Sequence, residues 1–170
     1  LRVVLGGSKM KLDRVISTMD SHTAGECTRV VTGGIASIPG NTMAEKKMYF
    51  TDHLDHLRKT LMQEPRGNAD LVGAILTDPV KHGSDYGVMF IDSLGFEGMC
   101  GHGTIGLVTT LIETGQIEVV RPVTEIQLDT LTGTVNARAR IDEEGYVEDV
   151  TVRNVPSFVY MPDVSIAFEG

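Results

Sequence analysis

Apolar and polar positions divide the chain into a mixed first part and an all-β second part. Residues 11–19 carry Leu12, Val15, Ile16 and Met19 and read as an opening strand. Asp20-Ser21-His22-Thr23-Ala24-Gly25-Glu26 reads as a polar turn. Residues 27–35 resume a β-branched run ending in Gly33-Gly34, which makes a hairpin-like pair with a chemically loaded loop. After Pro39-Gly40-Asn41, the positions Met43, Lys47, Phe50, Leu54, Leu57 and Leu61 recur at three- and four-residue steps. That spacing predicts an amphipathic helix over residues 43–62, broken by Pro65, with Asn41 or Thr42 as N-cap and Glu45 as the capping-box acid. Residues 71–76 and 86–91 read as strands. A second helix is expected from His102 or Thr104 to Glu113, with Gly115 as its C′ residue. Ile105, Leu107, Val108, Leu111 and Ile112 leave it almost no charged face, so it is predicted to be buried, with strands around it. Beyond Pro122, residues 124–128, 133–141, 146–153 and 155–160 are strand candidates, with turns at Thr132-Gly133 and Glu143-Glu144-Gly145.

About eight strands and two helices without regular βαβ alternation argue against a Rossmann sheet. They predict an α+β fold, a curved, mostly antiparallel sheet or barrel around the buried helix. At 170 residues, 41% hydrophobic and 22% charged, the chain suits one compact domain, and with no Trp its core rests on Val, Ile, Leu and Met. A net charge of −8 disfavours nucleic acid or an anionic membrane as partner but leaves room for a small acid at a helix N-terminus. No apolar run approaches the ~18 residues of a membrane span. Residues 1–9 precede Met10 and read as a vector-derived leader, and the protein is expected in the cytoplasm. Cys27 and Cys100 lie far apart, outside any zinc-ligand spacing, and a reducing compartment argues against pairing them. His53 and His56 are three apart on the first helix with no third ligand nearby, so they read as a solvated face and no metal is expected.

Chemistry concentrates in Met99-Cys100-Gly101-His102-Gly103-Thr104-Ile105-Gly106. Glycines on both sides of His102 let main-chain N–H groups turn toward an anion at a helix start. A thiol placed there sits at the positive end of the helix dipole, which lowers its pKa. His102 can serve through its backbone N–H or through its ring. A protease-like Cys–His pair has poor expected geometry, because residues two apart at a helix start do not readily place ring against thiol. The G-x-G-x-x-G match at Gly101, Gly103 and Gly106 lacks the βαβ frame and distal acid of a dinucleotide site.

The same stretch resembles the first catalytic motif of the proline racemase family, which includes 4-hydroxyproline epimerases and trans-3-hydroxyproline dehydratases. Asp20 to Glu26 with Arg29, and Glu64-Pro65-Arg66-Gly67 before Leu71-Val72-Gly73-Ala74, agree in order and spacing. The resemblance implies a diaminopimelate epimerase-like domain and a cofactor-independent isomerase of proline or hydroxyproline. In such an enzyme two cysteines from two similar domains exchange a proton with opposite faces of the α-carbon. It implies that Cys100 is one of the two and that the amides of Gly101 and His102 hold the substrate carboxylate. The pattern also departs from the family's. The family's chain is about twice as long, its second cysteine lies in a later segment absent here, and Asn68 replaces a His. Cys27, standing where the family usually has Pro, cannot replace that cysteine. Residues 10–170 are therefore expected to be a truncated N-terminal catalytic domain, inactive alone, whose partners are an imino acid, the missing C-terminal half and, through an exposed apolar face, a second copy. A dehydratase, a carboxylate-binding module and a thiol redox module are the alternatives.

Overall fold

The computed structural model describes residues 4–5, 8–9 and 13–168. The leader expected over residues 1–9 lies mostly outside them; β1 (Val4–Leu5) and β2 (Ser8–Lys9) form a two-residue antiparallel pair there. The main sheet is built from β3 (Ser17–Thr23), β4 (Glu26–Gly33), β5 (Val72–Thr77), β6 (Tyr86–Ile91), β7 (Phe96–Glu97), β8 (Val123–Thr130), β9 (Gly133–Ile141) and β10 (Val147–Arg153). Its order is β10-β9-β8-β6-β5-β4-β3, with β7 on β6. The β4–β5 and β6–β8 pairs are parallel and the rest antiparallel. Each parallel step needs a crossover, and the two helices supply them: α1 (Met43–Met62) between β4 and β5, α2 (Gly101–Glu113) between β6 and β8.

Side-chain alternation puts the helices on opposite faces. On β4, β5 and β6, Val30, Val72, Ala74, Val88 and Phe90 pack with Leu107, Val108 and Leu111 of α2. Their neighbours Val31, Ile75, Met89 and Ile91 pack with Phe50, Leu57 and Leu61 of α1. Ile126, Leu128, Val135, Ala137 and Ala139 join the α2 cluster, so the sheet curls round α2 as its inner helix, and α1 covers the outside. The α+β architecture read from the pattern is the one observed.

α1 begins and ends as its sequence directs; α2, expected from His102 or Thr104, begins at Gly101 and ends as expected. Thr42 caps α1, its side chain accepting from Glu45 N, while the Glu45 carboxylate accepts from Asn41 N. The buried cations on α1 are Lys46 and Arg58, while Lys47 is only half-buried; Lys46 Nζ donates to Ile38 O and Thr77 Oγ1. α2 ends on Gly115, whose N–H donates to Ile112 O while Gln116 N donates to Leu111 O.

Three expectations fail for physical reasons. The polar stretch 20–26 is mostly strand, because only Ala24 (φ 52°) and Gly25 (φ 100°) form the turn and Thr23 already pairs with Glu26. Correspondingly, the opening strand starts at Ser17; residues 11 and 12 lie outside the described residues. Residues 155–160 are not a strand: Pro156 removes a donor and Phe158, Val159 and Tyr160 are exposed.

Arg29 joins two of the motif segments. It forms a two-pronged bond with Asp20 (2.8 and 2.7 Å), and its Nη1 donates to Leu61 O and Arg66 O at the end of α1. The turn at residues 64–67 closes against α1 so tightly that a Cβ on Gly67 would lie 2.2 Å from the Met62 carbonyl carbon. Both motifs thus brace α1 on the outer face of the sheet.

Candidate active site

Cys100 is the N-cap residue of α2, with extended backbone (φ −128°, ψ 121°). Its carbonyl accepts the first helical bond from Thr104 N and a second from Thr104 Oγ1 (2.6 Å). The approach to it is anchored on both sides. Arg58 Nη1 donates to Asp92 O and Ser93 O in the turn after β6, and Thr132 Oγ1 donates to Gly98 O. Such ties hold the thiol on rigid elements.

Around the thiol the structure gathers residues from four strands. Sγ lies 3.5 Å from His102 Nδ1. The extended N-cap backbone swings the side chain over the first turn of α2, so the Cys–His approach that spacing alone argued against is made. Thr23 Oγ1 donates to His102 O (3.1 Å), docking the tip of the β3–β4 hairpin on the helix start. Glu26 faces Thr23 across that hairpin, and Glu97 faces Phe90 across β6–β7, which puts both carboxylates on the α2 side of the sheet. Phe90 packs under the site, within 3.2 Å of where a Cβ on Gly103 would stand.

Electrostatics here departs from the expected lowering. Burial pushes the Cys100 thiol up, and the charges of Glu97 and Glu26 push the same way; only the Gly103 N–H draws it down. A thiol 7% exposed loses more by desolvation than one helix start returns. Toward solvent the site is open. Nothing stands within 4 Å of a Cβ built on Gly101, and among the described residues the N–H groups of Gly101 and His102 have no protein partner. Two unpaired amides beside a thiol can receive a carboxylate while the thiol reaches its α-carbon.

Cys100, Gly101 and His102 are therefore brought together. Cys27 is not: it is exposed, both cysteines are free, and by strand alternation its side chain leaves the hairpin on the face away from Thr23 and Glu26. His53 and His56 are exposed on α1, His53 against Tyr49. The turn at residues 64–67 braces α1 across the sheet. Sequence reasoning missed Glu97, whose signal was only an acid three residues before the cysteine, and it missed the facing of Ser21, Thr23 and Glu26, which a strand reading of residues 20–26 would have supplied.

A family model described as "Proline racemase" matches residues 18–170. A 4-hydroxyproline 2-epimerase of Streptosporangium roseum is 52% identical over 161 residues, covering 95% of this chain and 48% of that protein. A proline racemase of Acetoanaerobium sticklandii is 46% identical over 157 residues, covering 92% and 47%. In structure, the chain matches a hydroxyproline epimerase from Agrobacterium vitis, crystallised with trans-4-hydroxy-L-proline, at TM-score 0.85 and 31% identity, covering 94% of this chain and 47% of that one. The chain spans about half the length of these relatives. Among the described residues no helix is long and apolar enough to cross a membrane.

Proposed function

The chain belongs to the proline racemase family, and on that premise we propose that it forms one half of a cofactor-independent racemase or epimerase site for proline or hydroxyproline. Cys100 exchanges a proton with one face of the substrate α-carbon. The amides of Gly101 and His102 bind the substrate carboxylate. Opposite them, in this reading, stands a second acid–base residue outside this chain, so the chain alone turns over no substrate. It acts in the cytoplasm, and its substrate is a small imino acid.

The observation that carries the proposal is the N-cap position of Cys100 beside two unpaired amides that open to solvent. An α-proton next to a carboxylate is very weakly acidic, so the negative charge that develops must be met by dipoles already in place. Proton transfer by a positioned group supplies roughly 10²–10⁴-fold. The remaining acceleration falls to such dipoles and to water exclusion, and the second half of the site must provide the cover. A raised thiol pKa suits the direction in which sulfur delivers its proton; in the opposite direction the thiol must first lose that proton to a base. The family's other reaction, dehydration of trans-3-hydroxyproline, would use the same half-site.

Amide NMR tests the carboxylate site. Titration with trans-4-hydroxy-L-proline should shift the Gly101 and His102 N–H signals, whereas pyrrolidine, which lacks the carboxylate, should not. Equal shifts with both, or none with either, would overturn the assignment.

A further inference from the structure

Among the described residues, three buried side-chain polar atoms have no hydrogen-bond partner: Ser21 Oγ, Thr28 Oγ1 and His102 Nε2. The two hydroxyls lie against Gly106 of α2. Ser21 and Thr28 are directly paired across β3 and β4, and a Cβ on Gly106 would stand 3.1 Å from Ser21 Oγ and 3.2 Å from Thr28 Oγ1. Gly106 lies one helical turn after His102. A side chain at Gly106 would crowd both hydroxyls, so the missing Cβ is what lets them approach the helix one turn from His102. Thr28 is fully buried, and a buried hydroxyl is seldom left unbonded. A buried water commonly takes two to four polar partners, and three are offered here.

We propose that Ser21 and Thr28, through one buried water, accept the hydrogen on His102 Nε2 and so leave Nδ1 free to take the proton of the Cys100 thiol. The proposal rests on the proton-carrier reading of Cys100. In the transfer the S–H bond breaks, its electron pair stays on sulfur, and an N–H bond forms at Nδ1. The product is a thiolate–imidazolium pair. Imidazolium needs an acceptor at each nitrogen: the thiolate serves Nδ1 and the cradled water serves Nε2. Ser21 and Thr28 are then positioning residues that act through the ring. The titratable groups facing the thiol are His102 from α2, Glu97 from β7 and Glu26 from β4.

The test is a long-range ¹H–¹⁵N spectrum of the His102 ring in this chain, which needs no variant. At neutral pH the proposal requires hydrogen on Nε2 and none on Nδ1; the opposite tautomer would overturn it. The double variant S21A/T28V should move the ring toward the Nδ1–H form and slow Cys100 alkylation by iodoacetamide at least several-fold at pH 8, while T28S in place of T28V should restore most of the rate. An unchanged tautomer and rate in a folded double variant would also overturn it. Either failure would leave the carboxylate titration unaffected, so the two readings fail separately.

Discussion

At Cys100 two physical effects oppose each other, and their balance sets the first prediction. The helix start favours a thiolate, but burial, Glu97 and Glu26 favour the thiol, and the sum lies upward. Iodoacetamide alkylation of Cys100 should therefore titrate above the ordinary thiol value of about 8.5. E97Q should bring it down; a midpoint below 8 in the unaltered chain would contradict this balance. The same shift makes folding pH-dependent in one direction. The folded state holds the proton more tightly, so stability is full below the unfolded thiol pKa and declines as pH rises through the folded one. Urea midpoints compared between the chain and C100A across the alkaline range would show that difference. The sequence made Cys100, Gly101 and His102 legible because glycines punctuate the stretch, but it misjudged the sign of the pKa shift. Burial is a property of the packed strands, and no local spacing records it.

Among the elements, α2 is the one on which both fold and site depend. Leu107 and Leu111 are fully buried between the curled sheet and the helix. Either residue changed to Ala should cost about 2–5 kcal/mol in urea unfolding, through lost burial and the cavity left behind. Gly101→Ala should behave differently: the position is open, so stability should hold or rise by up to about 1 kcal/mol, while the new methyl crowds the proposed carboxylate site. A loss of more than 2 kcal/mol would mean that Gly101 is packed. Arg29→Ala should cost about 2 kcal/mol, since it removes charge-assisted bonds to Asp20 and to the end of α1. α1 was readable from its apolar stripe and its Thr42 cap, α2 from an almost wholly apolar run that Gly115 ends. The strand at Ser17–Thr23 was not, because polar Asp20, Ser21, His22 and Thr23 lie on a sheet edge that pairs on one side only. Its polarity reflects what its two faces meet: Asp20 meets Arg29, while Ser21 and Thr23 meet α2. The reading of residues 155–160 failed conversely, since β-branched and aromatic residues mark a strand only where a partner strand exists.

For the whole molecule, what stands out is exposed apolar surface. Phe158, Val159, Tyr160, Met161, Val164, Ile166 and Phe168 follow the last strand, all of them exposed. Apolar surface of this kind invites a partner, and the chain is expected to self-associate; a strict monomer by light scattering at high concentration would count against that. The central claim is that Cys100 exchanges the α-proton of an imino acid and that its chemical counterpart lies outside this chain. It is tested most directly by α-proton exchange of trans-4-hydroxy-L-proline in D2O. The chain would be assayed alone and in place of the matching half of the Streptosporangium roseum 4-hydroxyproline 2-epimerase. The account predicts no exchange by the chain alone, exchange by the hybrid, and loss of at least 10³-fold when the hybrid carries C100S. Turnover by the chain alone, or a hybrid still active with C100S, would contradict it.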